Sequence, residues 1–135
     1  MENSNNLESG FKINNLLLLE STFKRIVNVT FGNSEIIQNI DIDVQVTVSE
    51  NIVSVTEEIK YNQIFNEVEE VSATIKMVGV FEKFGDSVLD LENFGNVNGA
   101  AIIFPYIREH LTNLSSKAGL GLLIIPPFNF TKKDK

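Results

Sequence analysis

The sequence predicts an α+β fold: a four-stranded antiparallel sheet packed with two helices. Two patterns support this. Apolar residues alternate with polar ones through most of the first 81 residues, in segments separated by short turn signals. Glycine-bounded stretches with helical spacing then follow. At 135 residues the chain fits one domain. The division expected is a polar N-terminal tail over 1–10, a folded domain over 11–130 and a basic C-terminal tail over 131–135.

The first strand begins at Phe11. Phe11, Ile13, Leu17, Leu19 and Phe23 share a parity, and Leu16 and Leu18 add apolar character to the second face, as in a strand covered on both sides. Gly32-Asn33-Ser34 interrupts it. Ile40 to Val48 alternates without a fault and is the clearest strand in the chain. After the turn Ser49-Glu50-Asn51, Val53, Val55, Ile59, Tyr61 and Phe65 mark a third strand. After Asn66-Glu67, Val71, Ala73, Ile75, Met77, Gly79 and Phe81 mark a fourth. Short turns between consecutive strands imply antiparallel pairing.

Gly85-Asp86-Ser87 offers N-cap chemistry for a short helix, Val88–Phe94, closed by Gly95. A Gly/Asn connection leads to a second helix, Pro105–Ser116, about 18 Å long, with Pro105 in its first turn. Ile103, Ile107, Leu111 and Leu114 form its apolar stripe, and Ala118-Gly119 ends it.

Composition excludes several function classes. The net charge of −7 and the scattered cations argue against a nucleic-acid partner. With no cysteine there is no thiolate nucleophile, disulfide or Cys-based zinc site. The N-terminus lacks the basic and apolar regions of a signal peptide, and no apolar run approaches the roughly 20 residues of a membrane span. A cytoplasmic protein without direct membrane insertion is the expectation.

Catalytic chemistry finds little footing. His110 is the only histidine, and the sequence identifies no nucleophile or orienting carboxylate beside it. Asp41 and Asp43 share a strand face but read as a solvated pair, and no metal site is expected. Gly95–Gly99 lacks the Lys-Ser/Thr ending of a P-loop, and Gly119-Leu120-Gly121 lacks dinucleotide-binding spacing. Glu57/Glu58 and Glu67/Glu69/Glu70 read as strand-face and turn acids rather than paired catalytic acids. The chain is therefore expected not to be an enzyme, a small α+β catalyst being the low-ranked alternative.

Binding is better supported. Long strands with a modest helical complement leave sheet edges and apolar surface for another subunit to cover. Leu120 to Phe130 is strongly apolar, uncharged and interrupted by Pro126-Pro127. A core strand, or an extended flap lining a groove over other apolar surface, fits this run.

The residues in and before this run carry a family resemblance. Phe104-Pro105-Tyr106-x-Arg108-Glu109, a helix, a Gly-containing turn and leucine-rich residues ending Pro127-x-Asn129-Phe130 resemble the SecB export chaperones, whose signature reads FPYARE followed by GGFPxLxLxPxNF. Phe11-x-Ile13, Glu20-x-x-Phe23 and Gly79-Val80-Phe81 stand where that family has F-x-I, D-x-x-F and G-I-F. The resemblance implies a dimer of dimers that binds unfolded, export-competent polypeptides in apolar grooves, without ATP or any cofactor, and passes them to the SecA motor. It points to a groove between helix, flap and second strand, lined by Ile42, Val44, Val46, Leu120, Leu122, Ile124 and Phe128. A core position is the competing reading for each, and Leu123 and Ile125 are expected to be the more buried parity. Glu20 matches an acid of the SecA-docking surface. Against the family pattern, Lys24, Ser72 and Thr74 stand at acidic or Leu-x-Glu positions, Ile107 replaces alanine, and the family continues into another helix after the position of Phe130. A SecB-like chaperone dedicated to one client, such as an antitoxin, is the alternative these departures favour.

Overall fold

The structure, a computed structural model, describes residues 10–85, 90–121 and 128–131. Strands β1 (Gly10–Arg25), β2 (Ile37–Ser49), β3 (Ile52–Phe65) and β4 (Val68–Phe84) form one antiparallel sheet in the order β1-β4-β3-β2. The expected α+β class and strand count are met. Helix α1 (Leu91–Phe94), a π-helical turn (Gly95–Gly99) and helix α2 (Ala100–Lys117) follow in unbroken succession. The expected tails, and the proposed caps Asp86 and Ser87, lie outside the described residues apart from Gly10, which opens β1, and Thr131. Within the described residues Asp90 caps α1, accepting from the backbone N–H groups of Glu92 and Asn93.

Tight hairpins fix the register of β2, β3 and β4. Asn66 and Glu67, with φ of 51° and 66°, make the β3–β4 turn. Paired left-handed residues match the twist of the flanking strands. The connection from β1 to β2 is different, because these strands occupy opposite edges. Residues 26–36 therefore cross the end of the sheet.

β1 departs from the two-sided strand, with Phe11, Ile13, Leu17, Leu19 and Phe23 on one face, expected of it. Its register against β4 shifts between Ile13 and Asn15 and again between Leu18 and Glu20. Each shift inserts one extra residue and reverses the parity of the residues beyond it. Ile13, Leu16, Leu18 and Phe23 consequently align with Phe81, Gly79, Met77 and Ala73 on the inner face. Leu17 aligns with Val78 on the outer face. The leucine run that looked two-sided is an in-out pattern interrupted by bulges.

The inner face is packed by α2. Val53, Val55 and Ile59 of β3 and Val71, Ile75 and Phe81 of β4 are buried with Ile103, Ile107 and Leu111 of the helix. The helix is longer than the segment expected from Pro105, which lies in its interior. The Gly/Asn stretch read as a connection is helical, and its glycines serve close approach. A Cβ on Gly95 would lie 2.7 Å from a Val46 methyl, and one on Gly99 would lie 2.9 Å from a Val55 methyl. Composition suggested a loop because glycine is a poor helix former; packing against the sheet decided otherwise.

One polar group sits on this inner face without compensation. Glu57 of β3, between Val44 of β2 and Met77 of β4, is fully buried. Neither carboxylate oxygen has a hydrogen-bond partner among the described residues. Burial pushes its pKa from 4.5 up to about 8.

Two outcomes are expected. Gly95→Ala should destabilise the fold by about 1–3 kcal/mol, because β-branched Val46 has little freedom to retreat; urea unfolding measures this. The unfolded chain releases the Glu57 proton near pH 4.5, whereas the folded chain keeps it to about pH 8. Stability should therefore decline as pH rises between these values and level off above them. Glu57→Leu should flatten that profile and stabilise the chain by about 3 kcal/mol at pH 7, as read from urea unfolding at pH 5, 7 and 9.

Candidate functional site

The loop over 26–36 is held by polar contacts at its start and in its middle. Arg25, the last residue of β1, donates through Nε to the Ile26 carbonyl at 2.9 Å and through Nη2 to the Val27 carbonyl at 2.6 Å. Its Nη1 donates to the Ala118 carbonyl at the C-cap of α2. A planar fork with several donors suits this task better than an ammonium would. Further along, the buried Glu70 carboxylate accepts from the Thr30 backbone N–H at 2.8 Å and from Thr30 Oγ1 at 2.9 Å. Gln63 Nε2 donates to the Thr30 carbonyl at 3.3 Å.

Between this loop and the C-terminal end of α2 lies a cavity of about 550 Å³. Phe23, Val29, Phe31, Ile36, Val71 and Leu120 give it apolar walls. Gln38, Tyr61, Gln63 and Ser115 contribute polar groups to the lining. Gln38 Nε2 donates to the Tyr61 hydroxyl at 2.8 Å, and Ser115 Oγ donates to the Gly121 carbonyl at 3.1 Å. Burial raises the Tyr61 pKa, and the Gln38 hydrogen bond opposes that. The loop also presents Val27, 84% exposed, and Phe31, 65% exposed. Such apolar exposure beside a cavity is the usual anatomy of a binding surface.

The cavity meets the inner row of β2 at Gln38. Gln38 lines it, and Ile40, Ile42, Val44, Val46 and Val48 succeed Gln38 on the same face, opposite Tyr61, Ile59, Glu57, Val55 and Val53. α2 lies over β3 and β4, whereas α1 and the π-helical turn are the helical pieces that reach β2. Ile42, Val44 and Val46 are accordingly half-buried at the margin of the core.

The residues singled out in the sequence fall in three places. Ile42, Val44 and Val46 form this β2 row, and Leu120 lies in the cavity wall. Phe128 is 45% exposed and meets Phe130 edge-on at 4.8 Å. Phe130 in turn packs on Phe104 of α2 at 5.8 Å, away from the cavity lining. Leu122 and Ile124, with Leu123 and Ile125, lie outside the described residues. Sequence reading missed the loop residues Val29 and Phe31 and the cavity residues Tyr61 and Gln63. The loop has no periodicity, so its only signal was apolar residues flanking a turn.

The outer sheet face carries the residues compared with the SecA-docking surface, whereas His110 lies on the inner side. Glu20 pairs in register with Lys76, Thr22 with Thr74 and Lys24 with Ser72, which brings Glu20, Lys24, Ser72 and Thr74 onto one patch. His110 shares a 2.8 Å hydrogen bond with Ser21 Oγ, tying α2 to β1. It lines neither the cavity nor a second recess of about 460 Å³ formed by Phe11, Ile13, Phe81, Phe94, Asn98 and Ile102. Among the described residues no cluster of His, Cys, Asp or Glu could hold a metal ion, and no helix is long and apolar enough to cross a membrane.

Comparison with known proteins agrees with this fold. The fold matches the SecB-like chaperone of Mycobacterium tuberculosis, solved in complex with a peptide from the HigA1 antitoxin, with a TM-score of 0.69 at 15% identity over 86% of this chain and 89% of that one. A protein of unknown function from Streptococcus agalactiae gives a TM-score of 0.53 at 11% identity, over 89% of this chain and 98% of that one. In sequence, an uncharacterized protein of Methanocaldococcus jannaschii is 29% identical over 59 residues, 44% of this chain and 38% of that protein's length. The family described as preprotein translocase subunit SecB, whose members and structural relative are chaperones rather than enzymes, matches residues 10–132. The chain belongs to the SecB family.

Proposed function

We propose that this protein is an ATP-independent holdase that binds unfolded polypeptides in the cavity under the 26–36 loop and along the inner row of β2. The observation that carries the reading is the cavity of about 550 Å³, apolar in its walls, with Gln38, Gln63 and Tyr61 among its lining. Apolar contact is non-directional and accepts many side chains, while amide and hydroxyl groups serve the main chain that every client shares. Leu120, Ile42, Val44 and Val46 contribute directly to that surface, and Leu122, Ile124 and Phe128 complete the expected set.

Assembly as a dimer of dimers belongs to the same proposal. β1 and β2 are the sheet edges. β2 carries Asp41 and Asp43, charges of the kind that discourage edge pairing. β1 instead exposes Leu17, Leu18 and Leu19, each about half accessible, which a second copy would cover. A cytoplasmic location belongs to the same proposal and rests on the SecB family match.

Dedication to one client, such as an antitoxin segment, is the second reading. The Mycobacterium tuberculosis relative holds a peptide of an antitoxin. The outer patch supports it too, since Lys24, Ser72 and Thr74 leave Glu20 as the acid expected to dock SecA.

Phe31→Asp and Leu120→Asp should each weaken binding of a labelled, chemically unfolded polypeptide at least fivefold, with far-ultraviolet circular dichroism unchanged. The parent protein at a several-fold excess should suppress aggregation of that polypeptide without nucleotide. Unaltered aggregation of several unrelated polypeptides would exclude the general holdase, and isolation of one cellular partner would select the dedicated reading. Light scattering should give four times the chain mass, and Leu18→Lys should lower it.

A further inference from the structure

Glu57 takes no part in the apolar lining of the groove, yet it borders it. It faces Val44, the centre of the half-buried β2 row, across one strand spacing. Its side chain is fully buried and both oxygens lack partners among the described residues. A buried acid left in this condition makes the empty site a poor state, and a group able to satisfy it makes the occupied site a better one.

We propose that Glu57 is the main-chain anchor of the polypeptide groove, its carboxyl donating a hydrogen bond to a backbone carbonyl of the segment held along β2. The inference rests on the holdase reading and deepens it. The occupant is an extended polypeptide, because its backbone presents a carbonyl at every residue whatever its side chains. In the empty chain the oxygens are covered, so the bound segment reaches them by displacing what lies over them. The carboxyl is a donor while it keeps its proton, which burial makes it do to about pH 8. Such a bond gives a promiscuous site a fixed point along the client that apolar contact alone does not supply.

Its surroundings make the proton testable. Ile42, Val44 and Val46 face it from β2, Ile75 and Met77 from β4, and Leu18 lies beyond on β1. Ile103 and Ile107 pack in the same core from α2. Among the described residues on this face, the titratable and charged groups are Tyr61, further along β3, His110 of α2, bonded to Ser21, and, toward the ends of the sheet, Arg25, Lys83 and the Thr30-bonded Glu70.

The test compares the parent with Glu57→Gln, which keeps a donor, and Glu57→Leu, which removes it. Binding of fluorescently labelled, reduced and carboxamidomethylated α-lactalbumin is measured by anisotropy from pH 6.5 to 9, in parallel with urea unfolding. The series is repeated in a His110→Gln background to separate the imidazole. The proposal expects Glu57→Leu to fold more stably but bind at least fivefold more weakly at pH 7. Glu57→Gln should bind within about twofold of the parent, and the parent's affinity should fall as pH passes about 8 while that of Glu57→Gln stays level. Parent-like binding by a stably folded Glu57→Leu protein overturns the anchor and leaves the holdase reading intact. No binding by the parent overturns both. If Glu57→Leu does not fold, a pH-independent parent affinity, or Glu57→Gln binding as pH-dependent as the parent's, overturns the anchor.

Discussion

The structure depends on a mismatch between a large sheet and a small helical cover. Strands of 13–17 residues extend roughly 43–56 Å, and four of them stand about 15 Å across. The 18-residue α2 is about 27 Å long and roughly 10 Å wide, so it cannot close the inner face. It settles over β3 and β4, the two central strands, and leaves the inner rows of β1 and β2 at the margins. In an ordinary monomer this would be a defect. Under the proposed holdase reading, these unclosed apolar rows are the surface that a client and a second copy would cover.

The same constraint explains the local features. The π-helical turn brings its glycines against Val46, Val53 and Val55, which drops the start of the helical layer onto the sheet. At the other end the Arg25 fork holds the end of β1, the start of the 26–36 loop and the C-cap of α2 together. Glu70 then fixes the middle of that loop through Thr30. The cavity is the space these anchors hold open, and it exists because β1 and β2 lie on opposite edges and the loop must cross between them.

Much of this was legible in the sequence where a period was present. β2, β3 and β4 follow directly from alternation, and Ile103, Ile107 and Leu111 appear as the buried stripe of α2. β1 was legible as a strand but not in its facing, since two one-residue bulges leave no mark in composition. The glycines at 95 and 99 misled for a physical reason: propensity argued for a loop, while proximity to the sheet demanded residues without a Cβ. The cavity was hardest to see, because Phe23, Phe31, Tyr61 and Leu120 come from separate parts of the chain and are joined only by topology. Glu57 passed as one acid among many, although its parity placed it between Val55 and Ile59 on an apolar face.

The central claim is that the 26–36 loop and the inner row of β2 hold an unfolded polypeptide. Hydrogen–deuterium exchange of the protein alone and with a saturating unfolded polypeptide tests it most directly. Exchange should slow on binding at residues 26–36 and along β2, with the centre of β4 unchanged. A bound client that leaves the loop and β2 unprotected, or protects only β1, would contradict it.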